Sequence, residues 1–306
     1  MLRFLALRFG RALITISAVL VIAFLTVRLS GTPFEQMYPD GLTEEMEAAL
    51  NAKYGLDLPL WQQFWNYLRE VAQGDFGRSL DNRQKVVEIY ASRIGFTLQI
   101  GALALVLATA VGIPLGAYAA LRRTAPGARA GMSFAFLGYA LPHFVIGIGM
   151  ILLFGYYLRL LPTTGLDSPA HYILPVITLS IPMIASQARF MRAATLDAIS
   201  YSHVLTAQSM GLKRGPLVRR HILRNAMLPL VTVLGLEVAG LLNGSIFVET
   251  VFSLPGVGRV LVGAVKARDF PVLQFGVIAY AAIVVVVNLI VDLLYVVADP
   301  RVRLEE

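Results

Sequence analysis

IGFTLQIGALALVLATAVGIPLGAYAAL, from Ile94 to Leu121, is 28 residues long and carries no charged side chain. Roughly 18–20 apolar residues are enough for a helix to cross bilayer hydrocarbon, so this run reads as a membrane span. Three more charge-free runs reach that length: Ala130 to Leu158 with 29 residues, Ser168 to Ala188 with 21 and Phe270 to Val291 with 22. Hydrophobic residues make up 57% of the 306 positions and charged residues 15%, against about 45–50% and 25% in soluble domains. An all-α, lipid-embedded fold follows.

Two further spans need argument. Between Arg11 and Arg28 stand 16 uncharged residues, and both arginines can extend their stems toward the headgroups and lengthen the span. From Asn225 to Val248 the apolar run is interrupted once, by Glu237. A carboxylate facing lipid there costs about 2–4 kcal/mol, so Glu237 is expected to face protein or water. The total is six transmembrane helices. Arg3, Arg8 and Arg11 precede an apolar run as in a secretory signal, but no small-residue cleavage site follows before Arg28. The segment reads as a retained helix. With no cysteine, disulfides and thiolate metal sites are excluded.

Six spans put both termini on one side. The N-terminus, the second loop, the fourth loop and the C-terminus together hold 15 Lys and Arg, and the opposite short loops hold only Arg159, Arg259, Lys266 and Arg268. The positive-inside rule therefore makes both termini cytoplasmic. Because these cations sit beside spans, the net charge of +7 follows from topology better than from a nucleic-acid surface.

The first outer segment, Leu29 to Arg93, carries ten acids and reads as structured. Thr43 can cap a helix with Glu44 and Glu45 in its first turn and Gly55 as its stop. A second helix would start at Pro59, bury Leu60, Phe64, Leu68 and Val71, and end at Gly74. Trp61, Trp65 and Tyr67 suit an interface. The pair either rests on the outer headgroups or forms a platform for an extracytoplasmic partner. The chain divides into residues 1–95, the first span plus this segment, and 96–306, a five-helix core. Pro114, Pro142, Pro175 and Pro182 fall inside spans and are expected to kink them.

The fourth loop, RFMRAATLDAISYSHVLTAQSMGLKRGPLVRRHILRN from Arg189 to Asn225, holds two helix punctuators. A short helix through Val204, Ala207 and Met210 would stop at Gly211, and a new one would start at Pro216. With exposed Leu212 and with Arg219, Arg220, His221 and Arg224, it forms a knob suited to push on a partner. The plainer reading is that the arginines only hold the loop inside the cell.

From Tyr201 to Pro229 this stretch resembles the cytoplasmic EAA-type loop of ABC importer permeases in its peptide-importer version, with Ala207, Gly211, His221 to Asn225 and Pro229 in place. Leu205 and Thr206 stand where the general loop has Glu-Ala. The peptide branch reads Asp-Tyr-Val-Arg-Thr-Ala-Arg where this chain has Ser202 to Gln208, so three charges are absent and the apolar positions are kept. The resemblance spans nearly the whole chain. It includes YGLDLPL from Tyr54, GDFGRSL from Gly74, VVEIYASRIGFTLQI from Val86, GSIFVETVFSLPGVGRVL from Gly244, ARDFP from Ala267, NLIVDLLY from Asn288 and DPRVR from Asp299. The chain is identified as a member of the dipeptide, oligopeptide and nickel permease family.

The resemblance implies a type I ABC importer permease fold in a bacterial or archaeal inner membrane. It also implies a second homologous permease in a heterodimer, two cytoplasmic ATP-binding subunits and an extracytoplasmic substrate-binding protein. No GxxxxGK[ST] phosphate loop occurs, so ATP and Mg belong to partner subunits, and this chain is a transport subunit without a cofactor or an ATPase site of its own. The coupling loop, residues 193–227, would engage an ATPase subunit through Val204, Ala207, Met210, Gly211, Leu212, Arg219, Arg220 and Arg224. Peptides or related small solutes are the implied cargo.

Polar groups inside spans, Gln99, Gln187, Glu237, Asn243, Asn288 and Asp292, either line the path or bond between helices. Glu237 ranks first for the path, with Asn243, Gln187 and Asn288 behind it. Glu249, Pro255 and Gly256 are either an outer gate or a loop anchored by a carboxylate, with a short helix after it from Val260 to Ala267. His143 and His171 lack a paired ligand at i+3 or i+4 and support no metal site. An ion-coupled secondary transporter and a non-transporting scaffold remain the alternatives.

Overall fold

A computed structural model describes residues 2–29, 42–53, 55–227 and 229–298. Tyr54, the DPRVR stretch from Asp299 and the side chains of Arg3 and Asp292 lie outside the described residues. Among those residues, five helices are long and apolar enough to cross a membrane, at Arg8–Leu29, Val86–Leu121, Ala170–Ile199, Leu230–Val251 and Phe270–Val291.

In chain order, α1 is Leu2–Leu29, α2 is Glu44–Lys53, α3 is Leu60–Ala72 and α4 is Val86–Leu121. The span expected over Ala130 to Leu158 is not one rod. It is α5, Pro126–Ala140, and α6, His143–Met150, which continues through π-helical turns over Ile151–Tyr157, with a bend of 110° at the break. The ring of Pro142 disfavours the α conformation at the preceding residue, and Leu141 is extended at φ −90°, ψ 132°. Counted as one broken span, the pair completes six. Pro114, Pro175 and Pro182, in contrast, sit inside continuous helices.

The fourth span, α7, runs Ala170–Ile199, well past the end of its apolar run at Ala188. Then come α8, Ser202–Ser209, and a continuous helical stretch α9, made of Arg214–Pro216, π-helical Leu217–Leu223 and Arg224–Ala226. The last three are α10, Leu230–Val251, α11, Val257–Lys266, and α12, Phe270–Ala298. Helix α9 begins two residues before the expected Pro216, which sits in its first turn, where its missing N–H costs nothing. Helix α11 begins three residues before the expected Val260.

The chain forms two compact units. One comprises Phe96–Gly258 with the chain from Val286 on, and its core joins Ile100, Ala104 and Ala108 of α4, Leu174, Leu179 and Met183 of α7, and Val248 of α10 with Phe252 and Leu254. Small residues let the backbones meet. A Cβ built on Gly112 would lie 2.9 Å from the Ile184 carbonyl oxygen, and one on Gly116 would collide with that of Ala188. This is the close approach that small residues four apart permit between membrane helices.

The other unit comprises Leu2–Gly95 and Arg259–Val285. Asp269 fixes it, accepting from the Ser79 hydroxyl and, at 3.2 Å, from the Leu80 N–H. Phe275 stacks edge-on against Phe76 and Tyr90, and the Tyr90 hydroxyl donates to the Val272 carbonyl at 2.9 Å. The Thr43 carbonyl accepts from the N–H groups of Met46 and Glu47 as α2 begins, Pro59 is the residue before α3, and Gly55 and Gly74 take left-handed φ of 62° and 76° after the helices, the two stops that the sequence predicts. The buried face of α3 differs from expectation: Leu60 is exposed, Phe64, Leu68 and Val71 are half-buried, and the buried residue is Gln63.

Candidate coupling surface and intramembrane site

Helix α8 starts where Tyr201 is extended and its carbonyl accepts from the N–H groups of Val204 and Leu205. It ends where Gly211 turns left-handed at φ 81°, a conformation open to glycine at little steric cost. Val204 and Ala207 are buried, in one cluster with Met191 and Ala198 of α7 and Leu217, Ile222 and Ala226 of α9. These two residues anchor the helix and are not available to a partner. Burying Val204 alone stabilises that seating by about 1.5–3 kcal/mol.

The rest of α8 is open, with the polar Ser202, His203, Thr206, Gln208 and Ser209 exposed around Leu205. Leu205, Met210, Leu212 and Tyr201 are exposed, Met210 at 77%, and Arg219, Arg220 and Arg224 are exposed on α9. The Asn225 amide donates to the His221 carbonyl at 2.6 Å and lies 3.1 Å from the His203 ring nitrogen, which ties α8 to α9. Sequence reading missed Leu205 as surface and Asn225 as a clamp. An apolar residue in a polar loop was the available signal for the first; the second depends on a contact across 22 positions.

The structure brings Gln187 and Glu237 together: the Gln187 amide donates to one Glu237 carboxylate oxygen at 2.6 Å. Gln187 is fully buried, and Gln187 Oε1 and Glu237 Oε1 are buried with no hydrogen-bond partner. Glu237 lines a cavity of about 290 Å³ whose walls include Tyr139, His143, Ser186, Phe190 and Leu236. The Arg189 guanidinium stacks 4.2 Å from the Tyr139 ring centroid. His143 and Ser186 are site residues that sequence reading left out. Gln99, Asn243 and Asn288 are exposed on the surface of the chain and do not join this cluster.

At the end of α10, Glu249 is fully buried, accepting from the Thr97 hydroxyl at 2.6 Å and from the Gly258 N–H at 2.7 Å. The Thr97 oxygen in turn accepts from the Val257 N–H at 2.9 Å. Pro255 and Gly256 lie in the turn these bonds hold, after Ser253 at φ 56°. His171 hydrogen-bonds locally to Ser168, and no group of three or more His, Asp or Glu is placed to hold a metal among the described residues.

The sequence pattern of the binding-protein-dependent transport system inner membrane component family matches residues 112–304. The dipeptide transport system permease protein DppB of Escherichia coli is 37% identical, with 99% of each chain covered. The glutathione transport system permease protein GsiC of Salmonella choleraesuis is 39% identical over 94% of this chain and 95% of its own. Among solved structures, an inward-facing MetNI methionine ABC transporter gives a TM-score of 0.58 at 16% identity, over 70% of this chain and 97% of the other. An amino acid ABC transporter gives 0.52 at 20%, over 68% and 94%. The fold is therefore that of ABC importer permeases, and the ion-coupled carrier and scaffold readings fall away. The chain belongs to the binding-protein-dependent transport system inner membrane component family, whose members are permease subunits of the inner membrane.

Proposed function

We propose that this chain is one half of the membrane pathway of an ATP-driven importer for short peptides or related small solutes. The relatives named for dipeptide and glutathione transport support that cargo class. A second permease of similar fold completes the pathway, two cytoplasmic ATP-binding subunits carry ATP and Mg, and an extracytoplasmic binding protein delivers the cargo. Both termini are cytoplasmic.

The observation that carries this reading is the two-sided α8. Its buried Val204 and Ala207 fix it to the spans, and Leu205, with Met210 and Leu212 just past its end, offers exposed apolar side chains in a stretch that runs on to the exposed Arg219, Arg220 and Arg224 of α9. A rigidly seated helix transmits motion as a body. Closure of the ATP-binding subunits would push it and turn the cavity beside Glu237 from one side of the membrane to the other. Glu237 and Gln187 would line that path.

The test is ATP hydrolysis by the chain co-expressed with its neighbouring permease and ATPase subunits in liposomes, with and without binding protein and a dipeptide mixture. Stimulation that disappears in Leu212→Asp is the expected result. Stimulated hydrolysis and transport unchanged in that variant would remove α8 as the coupling element, and failure to co-purify with any ATPase would overturn the assembly.

A further inference from the structure

Helix α3 carries more apolar surface than the chain covers. At about 100° per residue, Tyr67, Phe64, Leu68, Trp61 and Trp65 follow one another around a single sector of the helix, and Gln62, Asn66, Arg69 and Glu70 lie together on the rest of it. One side of the apolar sector is packed. The ring of Phe24 in α1 lies 5.2 Å from that of Phe64 and 5.8 Å from that of Tyr67, and Phe24 is buried beneath them. The other side is bare: Trp61 is 69% exposed and Trp65 67%.

The packed side fixes the depth of the bare one. Helix α1 crosses the membrane over Arg8–Leu29, and Phe24 lies in its last two turns, with the Arg28 guanidinium 5.4 Å from the centre of the same ring. An arginine that closes an apolar span extends to the headgroups, so Phe24, one turn away, holds α3 at that level. Around Phe24 the side chains of Val21, Ile22, Leu25 and Leu29 are exposed, as on a lipid-facing span. Helix α3 has 13 residues, too few to cross hydrocarbon at about 1.5 Å each, and its polar stripe forbids full immersion. It is also held firmly. The Gln63 amide donates to the carbonyls of Leu58 at 2.6 Å and Leu56 at 3.1 Å, which locks the preceding turn to the helix.

We propose that α3 is a membrane-surface helix, with Trp61, Trp65 and Leu68 seated in the bilayer interface and Arg69, at the border of that edge, facing lipid phosphate. Indole suits this depth because its ring is apolar while its N–H donates to ester and phosphate oxygens. Lipid is favoured over a water-soluble partner because the bare edge lies at headgroup level beside the exposed apolar flank of α1. The side of α3 suited to water is the one that carries Gln62, Asn66 and Glu70. The segment between α1 and α4 is then moored to the leaflet by α3 as well as by α1. The inference stands apart from the coupling mechanism and uses none of its residues.

Trp61 and Trp65 are the only two tryptophans of the chain, so the intrinsic fluorescence of the full-length protein reports on this edge alone. The test compares three quenchers in phosphatidylcholine vesicles: iodide present on both sides, phosphatidylcholine brominated near the headgroup end of the acyl chain, and phosphatidylcholine brominated near its tail. The expected result is blue-shifted emission that the shallow bromines quench most, the deep bromines less and iodide least. Trp61→Phe and Trp65→Phe, each leaving one indole, should both keep that order, and the wild-type measurement stands if neither variant folds. Strong iodide quenching with no response to brominated lipid would overturn the proposal and leave the edge free for a water-soluble partner such as the binding protein. Shielding from all three quenchers would overturn it as well, in favour of a contact between copies of the chain.

Discussion

The Glu249 carboxylate lies so close to Gly256 that a methyl group on that glycine would occupy the same space. The contact exists because the carboxylate reaches over the turn to the Gly258 N–H while its other oxygen holds the Thr97 hydroxyl. Gly256→Ala should therefore destabilise the protein by about 1–3 kcal/mol through overpacking alone. Glu249→Ala should cost at least as much, because hydrogen bonds to charged groups contribute about 1.5–3 kcal/mol each. Thermal unfolding in detergent checks both, and a melting point unchanged in Gly256→Ala would show that the turn opens freely.

A second prediction concerns the close approach of α4 and α7. Gly116→Val should lower the melting point sharply, because a side chain there meets the Ala188 backbone, which cannot rotate away. Gly149→Ala, where an added Cβ meets nothing within 4 Å, should leave it unchanged. Equal effects from the two would mean that helix propensity and not packing governs these sites.

Within α8 the two faces should respond differently. Met210→Asp changes only exposed surface and should lower substrate-stimulated ATP hydrolysis while the protein melts normally. Val204→Asp buries a charge against Met191 and Ala198 and should reduce the amount of folded protein, by several kcal/mol of stability. Gly211→Pro removes the N–H that bonds the Gln208 carbonyl and forces φ away from 81°, so it should uncouple hydrolysis from transport.

Glu237→Gln keeps the shape of the side chain and removes its capacity for charge. Transport rate or substrate range should change in reconstituted liposomes, whereas Asn243→Ala, on an exposed position outside the cavity, should not reproduce that change. Identical transport by wild type and Glu237→Gln would remove the carboxylate from the path.

The spans were legible because lipid imposes a length and a composition on every segment that crosses it, and charge-free runs such as Ile94 to Leu121 register both. Helix ends were legible where glycine or proline dictates backbone angles, as at Gly55, Pro59, Gly74 and Gly211. The break at Pro142 was only half legible: proline announces a kink, but the same residue type at Pro175 and Pro182 leaves α7 continuous, so the residue type alone does not separate a break from a continuous helix.

What the sequence by itself determined is the class of molecule: a membrane protein whose fourth loop resembles that of ABC importer permeases, from runs and motifs that are local in the chain. Only the tertiary structure decided which side of each helix is used. It buried Val204 and Ala207, exposed Leu205 and Leu212, paired Gln187 with Glu237 across 50 positions and left Asn243 and Asn288 on the surface. It also set Phe64 and Tyr67 against Phe24 and left Trp61 and Trp65 exposed. Helical periodicity gives each residue an angle about its own axis, and only packing against another helix turns that angle into inside or outside.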